Sequence, residues 1–334
     1  MTTTPNKVPA PALLDLTIDN ITPNTVRINS QSGDRRLTYI MERLVTHIHD
    51  FARETRISTE EWMTGLNFLV QCGQISSEVR HEFILLSDVL GLSLLVDSIN
   101  HPKPAGATEG SVLGPFHTHD APALGHGADM SSDPAGQPLL CVCSIRDARG
   151  GPVAGVKVDI WETDSTGHYD VQHPGAADAR PSERCVMESG PDGRFWFRCI
   201  LPVSYPIPHD GPVGKLLARL DRHPWRPAHL HFMFEKQGWD HLITSLYMRG
   251  DPYETSDAVF GVKKSLIVEP RRIEDAATAA EYGVPVGTWI LRQDFVLTTV
   301  EETGALRDRL AREALEKLGL NLTLVDHLPV PDLD

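Results

Sequence analysis

The sequence predicts a mixed α+β protein in which a helical N-terminal segment precedes an antiparallel β-sandwich. Three observations carry this. Apolar residues recur at helical spacing between about residues 35 and 100. A stretch rich in Pro and Gly then breaks the pattern, and beyond it the apolar period drops to two in seven short segments separated by Gly, Pro and Asp.

Residues 1–34 are rich in Thr, Pro and Asn and have no clear period, so they read as an arm. LTYIMERLVTHIHDFARET, from Leu37, sets Ile40, Leu44, Ile48 and Phe51 on one helical face. A second helix opens at Ser58, where Glu61 three residues on completes a capping box ahead of Trp62, Leu66 and Leu69. A third is expected from about Ser77 to Asn100, through Phe83, Leu86, Val89, Leu90, Leu94 and Leu95. These helices bury one another and leave a spare apolar face for the next domain or a second subunit. HPKPAGATEGSVLGPF, His101 to Phe116, marks the boundary. LLCVCSIRD, VKVDIWETD, GRFWFRCIL, AHLHFMFE, HLITSLYMRG, KKSLIVEP and TWILRQDFVLTT are the strands of a sandwich or barrel, and GALRDRLAREALEKLG is a last helix. The expected layout is an arm (1–34), a helical domain (35–105), a β-sandwich domain (106–303) and a C-terminal helix and tail (304–334).

Charge narrows the function. With 31 Lys and Arg against 45 Asp and Glu, the net charge is −14, and no basic cluster offers a footprint for nucleic acid or an anionic membrane. A small molecule is the better partner. No apolar run reaches the roughly 20 residues of a membrane span, and MTTTPNKVPAPALLDLT lacks the plan of a signal peptide, so a cytoplasmic location is expected. Five cysteines (Cys72, Cys141, Cys143, Cys185, Cys199), odd in number and without CxxC spacing, argue against a disulfide framework.

The strongest local feature is His229-Leu230-His231 in RPAHLHF. On a strand, residues i and i+2 point the same way, so two imidazoles become adjacent metal ligands, although a polar strand face gives the same pattern. His117 and His119 form a competing pair, set in a Pro- and Gly-rich loop without fixed geometry. Further ligands must come from elsewhere. Tyr169 ends WETDSTGHYD and Tyr205 sits in the proline-fenced ILPVSYPIPHDGP; an isolated Tyr is otherwise ordinary packing.

The order Tyr, Tyr, Arg-Pro-x-His-x-His resembles that of the intradiol ring-cleaving dioxygenases, non-haem iron(III) enzymes that open catechols between the two hydroxyls. The resemblance covers about residues 35–300, including LLCVCSIRDARGGPVAGVKVDIWETDSTGHYD. It implies one iron(III) per chain held by Tyr169, Tyr205, His229 and His231, with Tyr205 the ligand that detaches and acts as base. Arg226 matches the arginine kept beside the substrate; an ion pair with Asp221 or another carboxylate is the other role open to it. SVLGPFHTHDAP and HEFILLSDVLGLSLLVDSIN look most like hydroxyquinol 1,2-dioxygenases, which act on 1,2,4-trihydroxybenzene. By the same likeness Leu85, Asp88, Val112, Leu113, Phe116, Ile207, Pro208, Arg226 and Val259 line the pocket, Asp88 facing the third hydroxyl. Ser245 stands near the position where many relatives carry Gln. Catechol or chlorocatechol 1,2-dioxygenase is the nearest alternative. A non-catalytic sandwich binding a phenol or zinc is the alternative of another class. The resemblance also implies a homodimer joined through the N-terminal helices around a lipid-like molecule, with dioxygen and a catechol as small-molecule partners.

Overall fold

The computed structural model describes residues 15–77, 80–173, 175, 180–320 and 322–331. In chain order, α1 (Ile21–Asn29), α2 (Arg35–Thr55), α3 (Thr59–Ile75), α4 (Glu82–Val89) and α5 (Leu92–Asn100) come first. β1 (Pro138–Arg146), β2 (Lys157–Trp161), β3 (Arg184–Glu188), β4 (Arg194–Ile200) and β5 (Tyr205–Pro206) follow, then α6 (Pro212–Arg219). β6 (Trp225–Arg226), β7 (His229–Glu235), β8 (Leu242–Met248), β9 (Ile267–Val268) and β10 (Arg271–Arg272) lead to α7 (Ala276–Tyr282). β11 (Trp289–Val296), α8 (Val300–Leu318) and the strands β12 (Leu322–Val325) and β13 (Leu328–Pro331) complete the order. Two compact units result, one from Met1–Asn67 with Asp308–Asp334, the other Phe68–Arg307.

In the first unit, caps set the helix starts. Asp34 accepts the Leu37 N–H at 2.9 Å to open α2. Ser58 and Glu61 form the expected box ahead of α3: the Glu61 N–H donates to Ser58 Oγ at 3.1 Å, and the Ser58 N–H to Glu61 Oε2 at 2.8 Å. Part of the expected arm is not irregular: α1 forms within it, with Thr22 Oγ1 2.9 Å from His49 Nδ1 on α2, while residues 1–14 lie outside the described residues. Nor does a helix end the chain. β12 and β13 make a hairpin turned by Asp326 and His327, both at positive φ (49° and 66°), the conformation that a two-residue turn requires.

The second unit corrects the expected third helix. Gly91 (φ 74°) stops α4 and starts α5, a left-handed residue that an apolar series cannot reveal; residues 78 and 79 of that expected helix lie outside the described residues. Two sheets then pack face to face, β10-β11-β1-β4 against β3-β2-β7-β8-β9, antiparallel except where β1 meets β11 and β8 meets β9. Phe195 and Phe197 from β4 and Phe295 from β11 meet Phe232 and Phe234 from β7, with Phe295 centred 4.9 Å from Phe232 and 4.7 Å from Phe234. Each such ring removed from water contributes roughly 1.5–3 kcal/mol. β1 is covered on both faces: Cys141, Cys143 and Ile145 enter this core, while Leu140 and Val142 cluster with Ala279 of α7 and with Ile273, which follows β10. Of KKSLIVEP only Ile267–Val268 is strand, and β3, Arg-Cys-Val-Met-Glu, is a further strand not among those expected, with Cys185 and Met187 in the core. All five cysteines are buried free thiols. Among the described residues no helix is long and apolar enough to cross a membrane.

Candidate metal centre and substrate pocket

β7 is the base of the site. It lies between β2 and β8, with His231 opposite Trp161 on one side and Ser245 on the other, and His229 opposite Tyr247. The alternation of the strand puts both imidazoles on one face, their Nε2 atoms 2.9 Å apart. His229 Nδ1 donates to Pro227 O at 2.7 Å, so its Nε2 carries a lone pair into the site. Burial, with Arg226 adding to it, lowers the His229 pKa to about 3; burial and His229 hold His231 well below the usual histidine range. Both rings are neutral. His231 is fixed further by Ser245 Oγ at 2.9 Å from Nδ1 and by the parallel Trp161 ring, 4.7 Å away at 2°.

The two tyrosines arrive from outside the sheets. Tyr169 follows the turn after β2, where Arg184 donates through Nε to Asp170 Oδ2 at 2.8 Å and through Nη2 to Asp170 Oδ1. The same guanidinium donates to Phe116 O and Thr118 Oγ1, and Phe116 stacks on Tyr169 with centroids 4.7 Å apart. Tyr205 is brought in by the short β5–β6 pairing opposite Arg226. Gly167 (φ 81°) lets the chain pass beneath it, since a Cβ there would stand 3.0 Å from that of Tyr205. The two phenol oxygens are 3.0 Å apart, and Tyr205 Oη is 3.4 Å from His229 Nε2. Tyr169 and Tyr205 are 1% and 4% exposed. Burial pushes the Tyr169 phenol well above its ordinary pKa, and the neighbouring Tyr205 adds to this.

These four donor atoms fit a metal ion. Donors each about 2 Å from a cation at tetrahedral angles stand about 3.3 Å apart, close to the 2.9–3.4 Å of the neighbouring pairs Tyr169–Tyr205, Tyr205–His229 and His229–His231. A bound cation would also reverse the phenol's rise, since it stabilises phenolate directly. Among the described residues no group of three or more His, Cys, Asp or Glu is placed to hold a metal ion. His117 is engaged with Asp159 Oδ2 at 3.2 Å and packs edge-on against Trp161.

Arg226 lies against this centre, its Nη1 3.3 Å from Tyr205 Oη and 3.0 Å from His229 Nε2. Its carboxylate partner is Asp257, not Asp221. Burial works against both charges, yet each holds the other ionised. Leu85, Val112, Ile207 and Val259 gather in one apolar cluster, Phe116 belongs to that of the tyrosines, Pro208 is half-buried and Leu113 is 37% exposed. Asp88, 5% exposed, has its carboxyl pKa raised by burial, while Ser93 and the charge of Arg226 partly oppose the rise. Reading the sequence missed Tyr247 and Asp257. Strand pairing with His229 would have singled out Tyr247; Asp257, one acid among 45, carries no local signal.

Residues 34–108 match the family model described as catechol dioxygenase N terminus, and residues 112–298 the model described as dioxygenase. The chain is 63% identical over 330 residues to an intradiol ring-cleavage dioxygenase, hqdA, of Aspergillus niger, with 99% of each chain covered. It is 47% identical over 267 residues to a hydroxyquinol 1,2-dioxygenase of a Rhizobium species, covering 79% of this chain and 90% of the other. The solved structure of a hydroxyquinol 1,2-dioxygenase from Pseudomonas putida superposes with a TM-score of 0.77 at 40% identity, over 84% of this chain and 98% of that one. With relatives of this closeness matched along nearly the whole chain, the protein belongs to the intradiol ring-cleavage dioxygenases.

Proposed function

We propose that the protein opens hydroxyquinol with dioxygen between its vicinal hydroxyls, giving 3-hydroxy-cis,cis-muconate, the tautomer of maleylacetate, with one non-haem iron(III) per chain. The observation that carries this reading is the convergence of Tyr169 Oη, Tyr205 Oη, His229 Nε2 and His231 Nε2 in one buried pocket. When bound, iron(III) supplies a Lewis acid that keeps phenols ionised at neutral pH and brings a catecholate into reaction with dioxygen.

The residues of the chain account for the rest. Tyr169, His229 and His231 would hold the metal. Tyr205, ionised beside the metal, would take one substrate proton at Oη and so become a neutral phenol. Arg226 Nη1 faces the space beside Tyr205 and stabilises negative charge developing on the substrate. Phe116, Trp161 and the Leu85, Val112, Ile207 and Val259 cluster exclude water. Asp88 accepts a hydrogen bond from the third hydroxyl, and a buried acceptor of this kind discriminates strongly against the analogue that lacks the donor.

Turnover of hydroxyquinol, catechol and chlorocatechol by the purified protein tests the assignment, with hydroxyquinol preferred; a preference for plain catechol overturns it. Asp88→Leu should lower kcat/KM for hydroxyquinol relative to catechol by at least roughly tenfold. We assign residues 35–105 to a dimerisation module and 106–303 to the catalytic domain. Leu37, Ile40, Leu44, Ile48 and Phe51 form an exposed apolar stripe on α2, a face suited to a second copy of the chain and a lipid chain. Sedimentation should give twice the chain mass, and a monomer contradicts this part of the reading.

A further inference from the structure

We propose that Tyr247 and Asp257 are positioning residues that aim the Arg226 guanidinium at the metal centre, through a closed ring of hydrogen bonds that includes Ser111 and Gly261. This deepens the reading above and rests on Arg226 acting on substrate charge.

Four of the five N–H bonds of the guanidinium have acceptors within the protein. Nε donates to Asp257 Oδ1 at 3.1 Å, and Nη2 to Asp257 Oδ2 at 3.3 Å and Tyr247 Oη at 3.2 Å. Only Nη1 faces the site, with Tyr205 Oη as an acceptor at 3.3 Å; the His229 Nε2 lone pair, 3.0 Å away, is the one that would go to the metal, which leaves the second Nη1 N–H for a substrate oxygen. One edge of the planar group is therefore anchored and the other presented, a division that a lysine cannot reproduce. Because Tyr247 Oη accepts from Arg226, its own proton goes to Ser111 Oγ at 2.8 Å. Ser111 then donates to Gly261 O at 2.9 Å, and the Gly261 N–H donates to Asp257 Oδ2 at 2.8 Å. Donation therefore starts at Arg226 and ends at Asp257 by two routes, directly through Nε and Nη2 and the long way through Tyr247, Ser111 and Gly261.

Position and packing make the ring rigid. Tyr247 stands opposite His229 in the β7–β8 register, so the strand pair that carries a metal-site histidine also sets the second anchor of the arginine. Ser111, Arg226, Tyr247 and Asp257 are each at most 5% exposed. Gly261 closes the ring from below: a Cβ there would lie 2.5 Å from Tyr247 Oη and 2.9 Å from Arg226 Nη2.

Tyr247→Phe tests the proposal, since it keeps the ring volume and removes one oxygen. An arginine displaced by part of an ångström should lower kcat about tenfold or more with KM within about threefold, and leave the thermal midpoint within a few degrees. In metal-free protein labelled with 15N-arginine, the two Arg226 Nη resonances should be resolved in the wild type and merge in the variant. Should Tyr247→Phe not fold, Ser111→Ala opens the same ring and should act in the same direction. A wild-type kcat, or Nη resonances that stay resolved, overturns the proposal. If no catechol is turned over by either protein, the functional reading falls, while the resonances of the metal-free protein still decide the positioning claim.

Discussion

Gly261→Ala probes the contact between the ring of hydrogen bonds and its support. The backbone at Gly261 is not left-handed, so any cost comes from the added methyl and not from φ. That methyl would sit 2.5 Å from Tyr247 Oη, where ordinary contact begins near 3.4 Å; 3.4 − 2.5 leaves 0.9 Å to be found. If Tyr247 gives way by this amount, its 3.2 Å bond to Arg226 and 2.8 Å bond to Ser111 cannot both survive. Overpacking costs about 1–3 kcal/mol and a lost hydrogen bond to a charged group about 1.5–3 kcal/mol, partly alternative routes of relief, so the sum should be about 2–4 kcal/mol. For a unit of this size the thermal midpoint should fall by roughly 5–10 °C. Gly65→Ala is the control. It lies within α3 with nothing inside 4 Å of its added Cβ, and should hold or raise stability by up to about 1 kcal/mol. Differential scanning calorimetry of the two variants gives the answer, and a Gly261→Ala midpoint equal to wild type refutes the reasoning.

Three further outcomes follow from buried groups. Burial alone would raise the Asp240 carboxyl, but hydrogen bonds from His101 and Lys103 hold it at about 2, below its unfolded value of 3.8. Its contribution, about 2 kcal/mol, is therefore present above about pH 4 and lost as pH falls through about 2; acid titration of stability should show Asp240→Asn with a smaller loss over that window. Glu162 is the opposite case: burial, with Glu183 beside it, raises its pKa well above the usual range, and its Oε2 has no hydrogen-bond partner among the described residues. A raised acid favours the fold at low pH and opposes it as pH rises, so Glu162→Gln should gain stability relative to wild type between pH 5 and 8, measured by urea unfolding, and lose that gain near pH 4. Ser245→Ala removes the hydrogen bond at His231 Nδ1 and should weaken iron binding about 10–100-fold in competition with a chelator.

What the sequence makes legible is local. The Ser58 and Glu61 cap lies within four residues, and the facing of His229 and His231 follows from the period of a single strand, so both are readable before any tertiary contact is known. Tyr169 and Tyr205 could be singled out only through family likeness, because a turn and a two-residue strand pairing bring them to β7. Gly91 divides an apolar series that is continuous in its spacing, and only its φ of 74° marks the stop. Asp257 reaches Arg226 across 31 residues by way of β7, β8 and the loop after them, a pairing that depends on strand order. The C-terminal hairpin is short and set by two left-handed residues, Asp326 and His327, neither of them the glycine that usually announces such a turn.

The central claim is that two tyrosines and two histidines hold iron(III), and metal analysis joined to the visible spectrum of purified protein tests it most directly. The account predicts about one iron per chain and a red-brown band from tyrosinate-to-iron(III) charge transfer. That band should shift on anaerobic addition of hydroxyquinol and be bleached, or lost with the iron, in Tyr169→Phe. Colourless protein carrying zinc, with a spectrum indifferent to hydroxyquinol and to Tyr169→Phe, would contradict it.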